Sequence, residues 1–219
     1  MTEAVYRAVA VLTLASAAVA ILNRYFGRRS IVTYISKPLT TALILIPVLA
    51  RLPSSESAYV ALIAGGLAFA LLGDVLLMLP EDRFVLGIAS FAVTHLIYIA
   101  AFIFVGGMAL INISTVPLII FAIFMTRLLL PGVQKSLRLP VLVYIVIITT
   151  MAEQGIGAAV RSESAGMALA AAGALLFLVS DAALAVNRFR VPFKAAQALV
   201  LSTYWFGQWF IALSTRVGV

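Results

Sequence analysis

The chain of 219 residues contains no cysteine, which removes disulfides, thiolate metal sites and cysteine nucleophiles together. Its single histidine excludes a zinc site built from two or three imidazoles, so any metal chemistry would have to rest on carboxylates. Charge is scarce too. Only 11% of the residues are Asp, Glu, Lys or Arg, against about 25% in soluble domains. The strict apolar/polar alternation of barrel strands is missing, which argues against a membrane β-barrel. What the chain has in excess is apolar surface: 64% of its residues are apolar and the mean hydropathy is +1.16. A soluble domain holds about 45–50% apolar residues, so the composition excludes a cytosolic enzyme, a disordered chain or a secreted module. It requires lipid as the solvent.

A helix crossing about 30 Å of hydrocarbon needs roughly 20 mainly apolar residues. Eight runs of that kind occur, over residues 4–22, 31–50, 58–79, 84–105, 110–130, 139–160, 165–186 and 195–214. The reading is an all-α polytopic bundle of eight transmembrane helices, forming one integral membrane domain over 1–219. The fifth run is shortened by Pro117 and Arg127, and the sixth is interrupted by Thr149, Thr150, Glu153 and Gln154. The first run is not a secretory signal, because its positive charges, Arg24, Arg28 and Arg29, follow the apolar stretch rather than precede it.

Basic residues divide unequally between the two faces that eight spans create. The loops after spans one, three, five and seven, with the adjoining helix ends, carry Arg24, Arg28, Arg29, Lys37, Arg83, Arg127, Lys135, Arg138, Arg188, Arg190 and Lys194; the other face carries Arg7, Arg51, Arg161 and Arg216. The positive-inside rule puts the first set in the cytoplasm and both termini outside. The net charge of +7 is thus accounted for by topology and anionic membrane lipids, and no nucleic-acid partner is expected.

Two segments echo each other. Gly66 to Leu79 and Gly173 to Val186 both place a glycine eight residues before an aspartate, and each is followed by an Arg-Phe pair, Arg83-Phe84 and Arg188-Phe189. With four spans between the copies, this reads as a parallel four-plus-four internal repeat.

Ionisable groups deep in a span cost about 2.5–3.5 kcal/mol each on insertion scales, so Asp74, His95, Glu153 and Asp181 stand out. At about 1.5 Å rise per residue, Asp74 and Asp181 both fall roughly 8–9 Å inside the cytoplasmic boundary. His95 sits near the midplane with Tyr98 one turn further on the same face. Glu153 lies toward the outer half, where a helix-terminal or interhelical role is expected. Lys37 either snorkels to the headgroups or joins Arg188 and Arg190 in holding a lipid phosphate above the aspartates.

Taken in order, these residues resemble the lysoplasmalogenase family of eight-span membrane proteins, which includes bacterial YhhN and the animal TMEM86 proteins. The resemblance rests on Lys37-Pro38-Leu39-Thr40, on Leu72-Gly73-Asp74 followed by Leu76 and Leu79-Pro80, and on His95-Leu96-Ile97-Tyr98. It rests equally on Gly173 to Asp181 followed by Asn187-Arg188-Phe189, and on Tyr204 with Gln208. It implies hydrolysis of the vinyl-ether bond of a lysoplasmalogen, giving a fatty aldehyde and a glycerophospho-ethanolamine or -choline, with a lysophospholipid as partner, no cofactor and no metal. A bacterial inner (plasma) membrane is the expected location.

The chemistry can be argued without the resemblance. An enol ether hydrolyses by protonation at carbon, and water then captures the oxocarbenium ion, as in glycoside hydrolysis between two carboxyl groups. Asp74 and Asp181 are the expected acid and charge-stabilising base, in either order, with His95 as a third catalytic candidate. The resemblance marks Asn187, Tyr204 and Gln208 as well, and with Lys37, Tyr98 and Arg188 these are the expected substrate-binding residues. A proton-coupled transporter is the competing reading, since membrane carboxylates with a histidine also mark relays. A metal hydrolase of the ceramidase kind would need several histidine ligands.

Overall fold

The computed structural model describes residues 1–26, 31–53, 57–79 and 83–218; Arg28, Arg29 and Pro80 lie outside them. The described residues form eight α-helices and no strand: α1 (Glu3–Tyr25), α2 (Ile31–Leu49), α3 (Ser57–Met78), α4 (Phe84–Gly106), α5 (Thr115–Leu129), α6 (Arg138–Ser162), α7 (Ala165–Phe189) and α8 (Ala196–Val217). Each falls on one of the eight apolar runs. Six stretches are long and apolar enough to cross a membrane, those of α1, α3, α4, α5, α6 and α7. A further apolar stretch, Tyr34–Leu49, belongs to α2. Polar residues such as Gln197, Ser202, Thr203 and Gln208 dilute the hydropathy of α8.

The bundle has an apolar core, and its outer surface is apolar as well. Large apolar groups face outward, among them Val116, Ile119, Ile120, Ile123 and Phe124 on α5, whereas Thr40, Thr41, Asp74, Thr94, His95 and Gln208 are fully buried. Exposed apolar surface of this extent is stable only against lipid.

Two departures from the apolar runs have local causes. The fifth helix begins at Thr115 rather than near Leu110, because α4 ends on Gly107 at φ 69°. The Asn112 carboxamide oxygen then accepts from the Ser114 N–H at 2.8 Å, turning the chain before α5. The sixth helix is unbroken despite its polar stretch. Thr149 turns its hydroxyl back to the Ile145 carbonyl at 2.6 Å. Glu153 accepts from Ser114 at 2.5 Å and from Thr115, the N-terminal residues of α5. Gln154 pairs with both backbone groups of Ala109, at 2.9 and 2.7 Å. Glu153 therefore fastens α6 to the start of α5 through the Ser114 and Thr115 hydroxyls.

The α7–α8 contact is the most extensive among the described helices and sets the site. A Cβ on Gly207 would lie 2.8 Å from the Gly173 carbonyl oxygen, and one on Gly173 would lie 2.6 Å from that of Gly207. Small residues let the two backbones meet, which brings Tyr204, one turn before Gly207, over α7. Gly207→Leu should force the helices apart and cost about 1–3 kcal/mol. Unfolding in detergent at the wild-type temperature would contradict that account.

Candidate active site

Two hydrogen-bonded centres form where six helices converge. At the first, Asp74 of α3 is buried, with Lys37 Nζ of α2 at 3.1 Å from Oδ1. Its Oδ2 accepts from Thr41 Oγ1 of α2 at 2.6 Å and from the Tyr204 hydroxyl of α8 at 2.9 Å. Trp205 Nε1 in turn donates to Thr41 Oγ1 at 3.3 Å. Lys37 and Thr41 reach the same carboxylate because they are one turn apart on α2.

At an effective dielectric near 20, charges 3.1 Å apart attract by about 5 kcal/mol. Inserting each charge alone costs about 2.5–3.5 kcal/mol. Attraction and cost nearly balance, so the ion pair can persist in the interior but neither partner can be removed cheaply. Lys37 thus reaches inward to Asp74.

At the second centre, Oδ2 of Asp181 on α7 accepts a short hydrogen bond from the Tyr144 hydroxyl of α6. His95 Nε2 of α4 lies 3.2 Å from the same oxygen and 2.9 Å from the Tyr144 hydroxyl, closing a triangle. A wall of rings runs between the centres: His95 packs edge-on to Phe177 at 4.6 Å, Phe177 to Tyr204 at 5.2 Å, and Tyr204 to Phe91 at 5.7 Å between centroids.

Asp74 and Asp181 line one cavity of about 450 Å³, together with Lys37, Tyr204, Asn187 and Arg188. The exposed side chains of Arg83 and Arg188 lie at its rim, with Arg188 stacked 4.8 Å over the Phe84 ring. Asn187 also accepts from the Phe193 N–H at 3.2 Å, tying the end of α7 to the loop before α8. The arrangement is a basic rim above two carboxyl groups, suited to an anionic headgroup over an acid-labile bond.

Other expected site residues stand further off. His95 is fully buried and meets the cavity through Asp181. Tyr98 and Gln208 bond to each other, hydroxyl to carboxamide oxygen at 2.6 Å, and neither lines the cavity. Thr41 and Tyr144 were missed from sequence. Thr41 carried a usable signal, being four residues after Lys37. Tyr144 carried none, because a tyrosine in an apolar run is ordinarily a packing residue.

The comparisons agree with this assembly. The chain is 35% identical over 157 residues to lysoplasmalogenase TMEM86A of Bos taurus, covering 68% of this chain and 62% of that one. It is 33% identical over 165 residues to lysoplasmalogenase TMEM86B of Homo sapiens, covering 74% and 66%. It is also 28% identical over 188 residues to the membrane protein YhhN of Escherichia coli O157:H7, covering 83% and 86%. The matched region thus spans somewhat less than two thirds of the bovine relative's length. No solved structure matches the chain. Residues 32–215, which include both carboxyl centres, match the YhhN family, and this integral membrane protein belongs to that family.

Proposed function

We propose that this chain hydrolyses the vinyl-ether bond of a lysoplasmalogen. The observation that carries the reading is the placement of Asp74 and Asp181 on one cavity beneath a basic rim, in a family with relatives named lysoplasmalogenase. The two carboxyl groups are differently furnished. Asp74 holds a cation and two hydroxyl donors, an arrangement that suits the charge-stabilising role. Asp181 meets a phenol and an imidazole, and its side chain is 11% exposed against 1% for Asp74, so it is the carboxyl that reaches the substrate. His95 Nδ1 has no hydrogen-bond partner among the described residues.

Asp181 gives its proton to the enol-ether carbon distal to oxygen, and the positive charge that develops on the adjacent carbon and oxygen is balanced by Asp74. Water adds to that carbon and returns a proton to Asp181. The hemiacetal then breaks its bond to the glycerol oxygen, its hydroxyl proton passing through Asp181 to that oxygen, and aldehyde and glycerophospho alcohol leave. General acid–base catalysis of this kind contributes about 10²–10⁴-fold. Purified protein given an alkenyl lysophospholipid and its saturated alkyl-ether analogue should release aldehyde from the first alone. Release from neither would refute the proposal.

Two finer readings belong with it. All eight helices cross the membrane of a bacterial cell with both termini outside, supported by the eleven-to-four division of basic residues. The two halves are a parallel repeat. Tyr144 stands 37 residues before Asp181, the spacing that also separates Lys37 from Asp74. Each aspartate is met from the helix before it, α2 or α6, and from the last helix of the other half, α8 or α4.

A further inference from the structure

A second cavity, of about 260 Å³, lies between α4, α5, α6 and α7, walled by apolar side chains such as Ile88, Ala92, Phe121, Ile148 and Leu178. Phe84, Asp181 and Leu184 line both this groove and the polar cavity. The groove's polar contributions are confined to the Asp181–Tyr144 pair. Its existence follows from a break in the pseudo-symmetry. In the first half, α1 packs along α8; the corresponding α5 packs on α6 and, among the described residues, forms no packed interface with α4. Val85 of α4 and Val143 of α6 line the groove and are 52% and 48% accessible, so the groove opens toward the lipid.

Resting on the vinyl-ether reading above, we infer that this groove holds the single hydrocarbon chain of the substrate, with the glycerophospho end in the polar cavity and the vinyl ether at Asp181. The groove is smaller than the roughly 300–1,000 Å³ of pockets that enclose drug-sized ligands, room for one slender chain and none for a second. Its walls offer no hydrogen bond until the chain meets Asp181 and Tyr144, the point at which the ligand itself turns from hydrocarbon to ether. One end thereby sets the register of the other. An aldehyde product leaves with its chain already facing the bilayer.

The test uses the intact protein in detergent or bilayers and an alkyl-ether lysophospholipid, which is not cleaved, carrying a diazirine midway along its chain. Irradiation should label peptides containing Ala92, Phe121 or Ile148, and an unlabelled alkenyl lysophospholipid should compete. In parallel, Ala92→Phe should lower kcat/KM for a sixteen-carbon alkenyl substrate at least tenfold relative to a four-carbon one. Labelling confined to α1 or α8, or an unchanged chain-length ratio in a folded variant, would overturn the inference. The two readings fail separately: competed groove labelling without aldehyde release would sink the vinyl-ether reaction and leave a chain-binding groove. Aldehyde release with labelling elsewhere would do the reverse.

Discussion

Asp181→Asn is expected to lower turnover of an alkenyl lysophospholipid by about 10²–10⁴-fold while leaving the bundle folded. The carboxamide oxygen can still accept from Tyr144, which holds Asp181 through Oδ2, so the bond that orients the side chain survives and only the transferable proton is lost. Because the aspartate is partly exposed to the cavity, the substitution leaves no unpaired buried charge behind. Thermal unfolding within a few degrees of wild type, together with aldehyde release reduced by that factor, is the expected pair of results. Turnover within a factor of ten would remove Asp181 from the chemistry.

The second large effect is at Lys37 and Asp74. Lys37→Met strands the buried Asp74, and Asp74→Leu strands the lysine; each should cost about 3–5 kcal/mol of stability, as loss of one partner of a buried pair does. The double variant Lys37→Met, Asp74→Leu should recover most of that stability, because replacing both charges by apolar groups of similar size removes the desolvation cost along with the attraction. It should remain without activity. Unfolding in detergent and aldehyde release from the same preparations read the two consequences independently. A double variant that turns over normally would reduce the pair to a structural fastening. One as unstable as the single variants would contradict the balance of attraction and insertion cost.

The helices were legible in the sequence because hydropathy records what lipid requires of a spanning segment, and lipid requires it at every residue. Boundaries were less so. Leu110, Ile111 and Ile113 are apolar but lie in the α4–α5 connection, where Gly107 and Asn112 decide the backbone. The polar residues of α6 resembled an interruption because their partners, Ser114, Thr115 and Ala109, are distant in sequence.

The site divides in the same way. Asp74 and Asp181 announced themselves by the cost of burying charge, and Lys37 by its place at the start of a span. Helix adjacency was not readable, since an apolar face fits any other apolar face. Tyr144 therefore gave no sign that it would meet Asp181, nor α5 that it would stand away from α4. Tyr98 was read as a substrate contact from its position one turn beyond His95. It bonds Gln208 of α8 and does not line the cavity.

Protonation of an enol ether at carbon and delivery of water to the adjacent carbon leave an isotopic signature in the products. Mass spectrometry of the products formed in D₂¹⁸O tests for it most directly. One deuterium on the aldehyde carbon next to the carbonyl and no ¹⁸O in the glycerophospho alcohol are expected. An aldehyde without that deuterium, or ¹⁸O in the alcohol, would contradict that chemistry.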